Sequence, residues 1–243
     1  KYLSSQIRKC KVKIRLNSAF DASMLNQLKP EVVIVATGAD RFDPQIPGRD
    51  KKNVASAIDV LKGTATVGNR VIVVGDGYGA EGKMGCEVAE FLAEKGHEVV
   101  LVEETADIGS NLDAHTRQHL LYRFGLLWKQ GMAKQIKPHS QDELTEMLEK
   151  AHLLKSFPQR EINLFTEAKV EEIYEKGVVI NQKGVRKQLE ADNVVLAIGL
   201  KPNDRLVQEL KGRVSELYAI GDCVEPRTIL NAIHEAAFVG RQI

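Results

Sequence analysis

Five short apolar runs, rich in β-branched residues, constrain most strongly what this chain can fold into. Each leads into glycine or an acidic residue, and the five are Val32–Val35, Val71–Val74, Val99–Val102, Val194–Leu196 and Leu217–Ile220. They are apolar throughout rather than alternating, which is typical of parallel strands that helices cover on both faces. The sequence therefore predicts an α/β fold that is built on a parallel sheet.

The segments between these runs predict how the sheet is completed. Cys86–Lys95 has apolar residues at helical spacing and ends at Gly96, so the second run, this helix and the third run form a βαβ unit. Residues 162–189 alternate in polarity, with Gly177 and Gly184 at turns. This predicts a small antiparallel hairpin or meander, with strands over Lys169–Ile173, Gly177–Asn181 and Val185–Ala191. Further helices are predicted over Ser4–Lys9, Ser56–Lys62, Asp113–Phe124 and Gln141–Leu154.

Composition argues against several classes of function. The 243 residues carry a formal net charge of +1, which gives no electrostatic reason to expect nucleic acid or anionic lipid as a partner. The apolar runs are far shorter than the roughly 18 residues that cross a membrane. Cys10, Cys86 and Cys223 are widely separated, which argues against a disulfide scaffold, a zinc site or a redox-active dithiol. We therefore expect a cytoplasmic protein with reduced thiols and no metal site.

The second apolar run continues directly into a glycine-rich turn, Gly75-Asp76-Gly77. In a dinucleotide-binding turn the first glycine makes the tight bend, the second admits a pyrophosphate close to the backbone, and a third lets the helix pack against the sheet. The phosphates bind the free N–H groups and the positive dipole at the start of that helix. Because this turn follows a strand and precedes a helix, it predicts a nucleotide site; a glycine-rich turn without a ligand is the alternative.

Three registers are open for the third glycine of this turn. The spacing fits Gly77-x-Gly79-x-x-Gly82, it fits Gly75-x-Gly77-x-x-Ala80, and it fits Gly85 if several of residues 78–84 are an insertion. We favour Gly85, because the amphipathic pattern of the helix begins there. The candidate cofactor-binding residues of this region are Gly75, Gly77, Tyr78, Gly79, Gly85 and Glu87.

An acidic pair ends the third apolar run. Glu103 stands where a carboxylate accepts hydrogen bonds from an adenosine ribose 2′-hydroxyl, and Glu104 adds a second negative charge. No Lys or Arg follows before Arg117, so a 2′-phosphate would be repelled. The sequence therefore predicts NAD(H) rather than NADP(H); the alternative for Glu103 is a solvated strand end.

Further stretches carry a resemblance to a known family. They are Ala36-Thr37-Gly38, Gly85–Gly96, Ala197–Asn203 and Ile220–Leu230. With the glycine turn, they resemble the pyridine nucleotide–disulfide oxidoreductases. The resemblance is closest to the C-terminal half of the NADH:flavin oxidoreductase group, which includes 2,4-dienoyl-CoA reductase, 2-enoate reductase and trimethylamine dehydrogenase. It runs through nearly the whole chain and implies a Rossmann-like fold with two dinucleotide-binding domains.

The resemblance also implies how the chain is divided and which residues meet the flavin. Residues 1–63 and 202–243 would form a discontinuous, partial FAD-binding domain, and residues 64–201 would form the NAD-binding domain. Asp222 would bond the ribityl chain, and the helix start near Ile229 would present N–H groups to the flavin ring. The remaining candidate residues on this basis are Thr37, Gly38, Gly199 and Gly221. The resemblance requires no acid–base catalyst in this chain.

Two departures from the family pattern shape the functional prediction. No strand–glycine–helix motif for the FAD pyrophosphate precedes Val32, so we expect FAD to bind weakly or not at all to this chain, with an FMN-containing barrel and an iron–sulfur cluster upstream. Residues 125–160 are longer than the family's usual link. The predicted function is transfer of hydride from NADH to FAD, for onward reduction of a substrate outside this chain. The alternative is a non-catalytic module that holds ADP or another adenine nucleotide.

Overall fold

The computed structural model describes residues 2–75, 82–109, 112, 114–124 and 162–243. The helix predicted over Gln141–Leu154 and the candidates Gly77, Tyr78 and Gly79 lie outside these residues. In chain order the described strands are β1 (Val32–Val35), β2 (Ala39–Arg41), β3 (Val54–Ser56), β4 (Arg70–Gly75), β5 (Glu98–Val102), β6 (Ile162–Phe165), β7 (Ala168–Tyr174), β8 (Gly177–Gln182), β9 (Val185–Glu190), β10 (Asn193–Ala197), β11 (Leu200–Pro202) and β12 (Glu216–Ala219).

The described helices include those predicted over Ser4–Lys9, Ser56–Lys62, Cys86–Lys95 and Asp113–Phe124, together with Leu25–Leu28 and Arg205–Leu210, which were not predicted. They are α1 (Tyr2–Lys9), α2 (Leu25–Leu28), α3 (Ala57–Lys62), α4 (Gly82–Glu94), α5 (Ala114–Arg123), α6 (Arg205–Leu210) and α7 (Ile229–Val239), with 3₁₀ turns at Ala22–Met24 and Gly221–Cys223. The Ser56 side chain caps α3 by accepting the Asp59 N–H at 3.1 Å. Helix α4 begins at Gly82 rather than at the predicted Cys86. In the described parts of the chain, no helix is both long and apolar enough to cross a membrane.

A five-stranded parallel sheet carries the largest core, in the spatial order β3-β10-β4-β5-β6. Alternate residues of β4 face opposite sides: Val71 and Val73 pack on the side of α3, α4 and α5, whereas Ile72 and Val74 pack on the other side. All four are at most 4% exposed. The apolar runs are therefore strands buried on both faces, as predicted.

The second face of this sheet is covered by an antiparallel meander, and the expectation of helices on both faces was wrong. Strands β7, β8 and β9 pair in sequence, and Ile173, Val178 and Ile180 pack against Ile72 and Val74. An apolar strand pattern reports burial, and an apolar face of the meander buries the sheet as well as a helix does. The meander itself is confirmed with nearly the predicted boundaries.

The remaining strands form two smaller sheets. β1 and β12 pair in parallel above a core that contains Val35, Leu210 and Cys223. β2 and β11 form an antiparallel ribbon, Ala39–Arg41 against Leu200–Pro202. Strand β3 lies within the segment 1–63 assigned above to the flavin half, and it is hydrogen-bonded to β10 of the five-stranded sheet. The division into two nucleotide-binding halves stays a prediction.

Candidate nucleotide-binding site

The carboxyl ends of β4 and β5 bring Gly75, Gly85 and Glu103 together. A Cβ on Gly75 would overlap the Glu103 carboxylate. A Cβ on Gly85 would lie 2.7 Å from Glu103 Oε1 and 3.2 Å from the Gly75 Cα. Only glycine at both positions lets the strand end, helix α4 and the carboxylate approach this closely. Gly85 therefore has the close contacts that the third, helix-packing glycine of the turn requires, which is the register that the sequence analysis favoured.

Glu103 is held rigidly at this edge. Its N–H donates to the Phe165 carbonyl at 2.8 Å, and its own carbonyl accepts the Ala168 N–H at 3.0 Å. The residue is 1% exposed, so it is not a solvated strand end. Its carboxylate lies beside the first glycine of the turn, and its predicted role as the acceptor of a ribose hydroxyl stays a prediction.

Residues on α4 next to these glycines differ in their environments. Cys86 is fully buried, and burial, together with the neighbouring Glu103 carboxylate, raises the pKa of its thiol far above the ordinary range. The Cys86 thiol is therefore neutral and unreactive at physiological pH. Glu87 is half exposed and forms an ion pair with Lys83 at 2.9 Å, one turn earlier on the same helix.

Among the described residues, two cavities open at the carboxyl edge of the five-stranded sheet. The larger, of about 510 Å³, is lined by Gly75, Glu104, Lys169, Val170 and other residues. The smaller, of about 300 Å³, lies towards α3 and α4 and is lined by Ser56, Met84, Leu196, Gly199 and others. Phe42, Pro44 and Ile198 line both cavities. Ligands of open α/β sheets bind at this edge, outside the carboxyl ends of the strands.

Sequence reasoning missed most of the residues that line these cavities, among them Phe42, Met84 and Lys169. Phe42 follows ribbon strand β2, and its N–H donates to the Gly199 carbonyl at 3.2 Å, which brings it to the edge of the sheet. Phe42 is 48% exposed, which is high for an aromatic side chain. The one available signal in the sequence was Lys169, a basic residue that directly follows Ala168 at the start of the meander.

An ion pair fastens the ribbon to the five-stranded sheet. Arg41 of β2 donates through both terminal guanidinium nitrogens to the Asp59 carboxylate of α3, each at 2.7 Å. These hydrogen bonds, with a further one from Ser56, lower the pKa of Asp59 from its ordinary 3.8 to about 2. Because the pair is substantially exposed, it orients the ribbon more than it stabilises the fold.

Thr37 and Gly38 lie where β1 leads into the ribbon. The Thr37 hydroxyl donates to the Asn203 carbonyl at 2.7 Å, and the Asn203 N–H donates to the Gly38 carbonyl at 3.1 Å. Gly38 has a φ of +74°, a left-handed conformation that glycine adopts readily. Both residues therefore shape the backbone at the end of β1.

Gly221, Asp222 and Ile229 are brought together after β12. Gly221 has a φ of +69°, and its N–H donates to a Glu235 carboxylate oxygen at 2.7 Å. The Asp222 carboxylate accepts the Arg227 N–H at 3.4 Å, which leaves most of its acceptor capacity available. Ile229 is 80% exposed at the first turn of α7. The Cys223 thiol donates to the Val35 carbonyl at 3.2 Å and so fixes this loop beneath the end of β1.

Comparison with known proteins assigns the family. Residues 5–126 and 132–236 match the family described as pyridine nucleotide-disulphide oxidoreductase. The chain belongs to this family. Both the resemblance that the motifs predicted and the Rossmann-like α/β fold with its antiparallel meander are thereby confirmed.

The relatives of this oxidoreductase chain are much longer proteins. It is 33% identical over 213 residues to the metal reductase of Desulforamulus reducens, and the matched region covers 84% of this chain and 29% of the relative. It is 28% identical over 248 residues to the NADH oxidase of Thermoanaerobacter brockii, at 100% of this chain and 32% of the relative. A solved 2-naphthoyl-CoA reductase matches with a TM-score of 0.72 and 27% identity, over 100% of this chain and 31% of its own.

The names and lengths of these relatives bear on the class of this protein. At the level of the family, these reductases and the NADH oxidase confirm the predicted class, an NAD(P)H-dependent flavin oxidoreductase. The chain spans about a third of their length. Among the residues that the structure describes, no group of three or more His, Cys, Asp or Glu side chains could hold a metal ion.

Proposed function

We propose that this chain is the nucleotide-binding part of a flavin-dependent oxidoreductase that takes hydride from NADH and passes it, through FAD, to a centre outside the chain. One observation carries the proposal. The Glu103 carboxylate is buried against Gly75 and Gly85, at the carboxyl edge where two cavities open. This combination of a close-packed glycine turn and a fixed carboxylate suits a dinucleotide.

The residues around Glu103 account for recognition of NADH. The start of α4 would receive the pyrophosphate, because its N–H groups and dipole favour negative charge. Glu103 would accept the adenosine ribose hydroxyl, with the larger cavity beside it for the adenosine. Among the described residues, Lys169 is the cation that lines that cavity, and Glu104 and Glu171 line it as well. Glu171 is already paired with Arg186 at 2.7 Å, so this pair adds no net charge to the balance. The two carboxylates of Glu103 and Glu104 then outweigh the single charge of Lys169, and NADH is favoured over NADPH.

A second set of residues fits a flavin nucleotide. The Asp222 carboxylate retains acceptor capacity for ribityl hydroxyls, and the exposed first turn of α7 presents a helix dipole that favours negative charge on a reduced ring. Thr37 and Gly38 shape the backbone along the nucleotide. Bound FAD supplies the hydride acceptor, and the chain's residues supply orientation and electrostatics. Weak binding of FAD by this chain alone is part of the proposal.

The rest of the proposal concerns segments of the parent protein. Residues 1–63 and 202–243 would form the flavin half and residues 64–201 the NAD half, with β3 joining the NAD-half sheet. An FMN-containing barrel and an iron–sulfur cluster, both outside this chain, would pass electrons to the final substrate. The length of the relatives, about three times that of this chain, supports this arrangement. The cytoplasmic location also stays a prediction.

Calorimetric titration of the chain with NADH, NADPH, ADP and FAD tests the proposal. We expect NADH to bind more tightly than NADPH, and Glu103→Gln to weaken NADH about tenfold, because a neutral amide acceptor replaces a charged one and the hydrogen bond becomes weaker. Glu94→Gln is the matched control, since Glu94 is an exposed acid at the far end of α4. Equal affinity of Glu103→Gln and the wild type for NADH would refute the ribose contact.

A flavin-reduction assay separates the two functions that the sequence leaves open. Bleaching of added FAD by NADH in the presence of the chain supports hydride transfer. Equal affinities for ADP and NADH without bleaching would favour the non-catalytic adenine-nucleotide module instead.

A further inference from the structure

Charged side chains form a group at the loop Gly221–Thr228. The family resemblance connected the loop with the flavin, but not this group of charged residues. Glu235, on α7, accepts the Gly221 N–H through Oε2 at 2.7 Å and the Arg227 guanidinium through Oε1. Arg227 also reaches Glu225, with 3.3 Å between Nε and Oε2. One carboxylate therefore ties the beginning of the loop to its end.

Asp222 stands between the two points that Glu235 holds. It follows Gly221 directly, and its carboxylate accepts the backbone N–H of Arg227 at 3.4 Å. Because Glu235 fixes both neighbours, the direction of the Asp222 side chain depends on Glu235. The two charged partners are each about 30% exposed, so the contact is less screened than a surface ion pair.

The chemistry of the cluster keeps the Glu235 carboxylate ionised. The hydrogen bond from the Gly221 N–H, and then the Arg227 guanidinium, lower the pKa of Glu235 below its ordinary value. The Gly221 N–H is already engaged, so what Gly221 offers a bound cofactor is close approach of the backbone rather than a donor. A left-handed glycine at this point of the loop is consistent with that use.

We propose that Glu235 is a positioning residue of the flavin site, which acts through Gly221 and Arg227 to direct Asp222 towards the ribityl hydroxyls. The inference rests on the proposed function, because it requires the loop Gly221–Thr228 to receive a flavin. The loop's other attachments do not replace Glu235. Cys223 fixes the underside of the loop to Val35, and Thr228 bonds Asn231 at 2.6 Å within α7, but neither holds Gly221 or Arg227.

FAD titration of the chain and three variants gives the first test. Glu235→Ala removes both contacts, and we expect FAD binding to weaken about tenfold, as for loss of a hydrogen bond to a charged group. Glu235→Gln keeps an oxygen that can accept the Gly221 N–H and should recover part of the loss. Glu225→Gln is the matched control, since Glu225 also pairs with Arg227 but does not contact Gly221, and it should bind FAD as the wild type does.

A measurement on the flavin-free chain tests the loop directly. Labelling with [¹³C′]isoleucine and [¹⁵N]glycine selects Ile–Gly pairs, of which the chain has three: Ile108–Gly109, Ile198–Gly199 and Ile220–Gly221. We expect Glu235→Ala to shift the Gly221 amide and to speed its hydrogen exchange about tenfold. Glu235→Gln should retain most of the protection, and the Gly109 and Gly199 amides should not change.

The outcomes separate this inference from the proposed function. An unchanged Gly221 amide in Glu235→Ala overturns the inference, whatever the chain does with flavin. If the wild type and Glu235→Ala bind FAD equally, the inference fails while the proposed function stands. If the wild type takes up no FAD, the flavin part of the proposed function fails, and the inference fails with it.

Discussion

Replacing Gly85 by alanine sets two physical effects against each other at the centre of the candidate site. Gly85 lies within α4, where alanine is the better helix former by about 1 kcal/mol. The added methyl group, however, would lie 2.7 Å from Glu103 Oε1 and 3.2 Å from the Gly75 Cα. Helix propensity alone predicts stabilisation, whereas packing predicts that either Glu103 or α4 must move.

The relative magnitudes favour packing. Overfilling a close-packed site costs about 1–3 kcal/mol, so after the gain in helix propensity we expect Gly85→Ala to lose roughly 1 kcal/mol of the free energy of unfolding. The Gly75 contact is to backbone, and Glu103 is anchored by two backbone hydrogen bonds to β6 and β7, so little of the strain can relax. NADH binding should fall at least tenfold, since either the proposed pyrophosphate turn or the proposed ribose acceptor is displaced.

Urea unfolding and NADH titration of the wild type, Gly85→Ala, Glu103→Ala and the double variant measure these effects. Removing the Glu103 side chain opens space for the new methyl group, so Gly85→Ala should cost less stability in the Glu103→Ala background. A more stable Gly85→Ala that binds NADH normally would refute the close packing of α4 against β4 and Glu103. Additive losses in the double variant would show that Glu103 is not the group that the methyl group strikes.

Three further predictions concern residues outside the glycine turn. The pKa of Asp59 is lowered to about 2 in the folded protein, so its pairing with Arg41 contributes stability at pH values above the ordinary pKa of the carboxyl group. That contribution is lost as the pH falls towards 2. Urea unfolding across this range should therefore show a loss of unfolding free energy at acid pH that Asp59→Asn lacks. A thiol reagent such as DTNB should modify exposed Cys10 alone in the native protein, and buried Cys86 and Cys223 only after unfolding. Gly177→Ala should lower the free energy of unfolding by about 2 kcal/mol, because its Cβ would overlap the Leu189 carbonyl, while NADH affinity stays unchanged.

The strands of the main sheet could be predicted because burial on both faces leaves a continuous apolar run. Val71–Val74 shows this most clearly, with alternate residues in two different cores. The sequence did not reveal which element covers each face of the sheet, because an apolar strand shows only that both of its faces are shielded from water. The pairing of β3 with β10 was also hidden, since Val54–Ser56 is only three residues long and its partner lies far along the chain.

The candidate site divides in the same way. Glu103 and Gly85 were predictable because local spacing within one βαβ unit fixes their relation. Phe42 and Lys169 were not, since each reaches the cavities through a long-range contact, across the ribbon or at the start of the meander. Glu235 stands further still from any motif, because its importance arises from Gly221, fourteen positions earlier along the chain.

The ribbon β2–β11 links the two groups of candidate residues directly. At one end of the ribbon the Phe42 N–H donates to Gly199, which lines a cavity beside the NAD-type turn. At the other end Asn203 bonds Gly38, at the end of the strand that leads towards the flavin residues. The proposed hydride transfer requires the nicotinamide and flavin rings to meet, so we expect the geometry of this short ribbon to set how the two proposed nucleotide sites approach each other. The Arg41–Asp59 pair fastens the ribbon to α3, and Arg41 lines the smaller cavity, so we expect this pair to affect the alignment of both proposed sites.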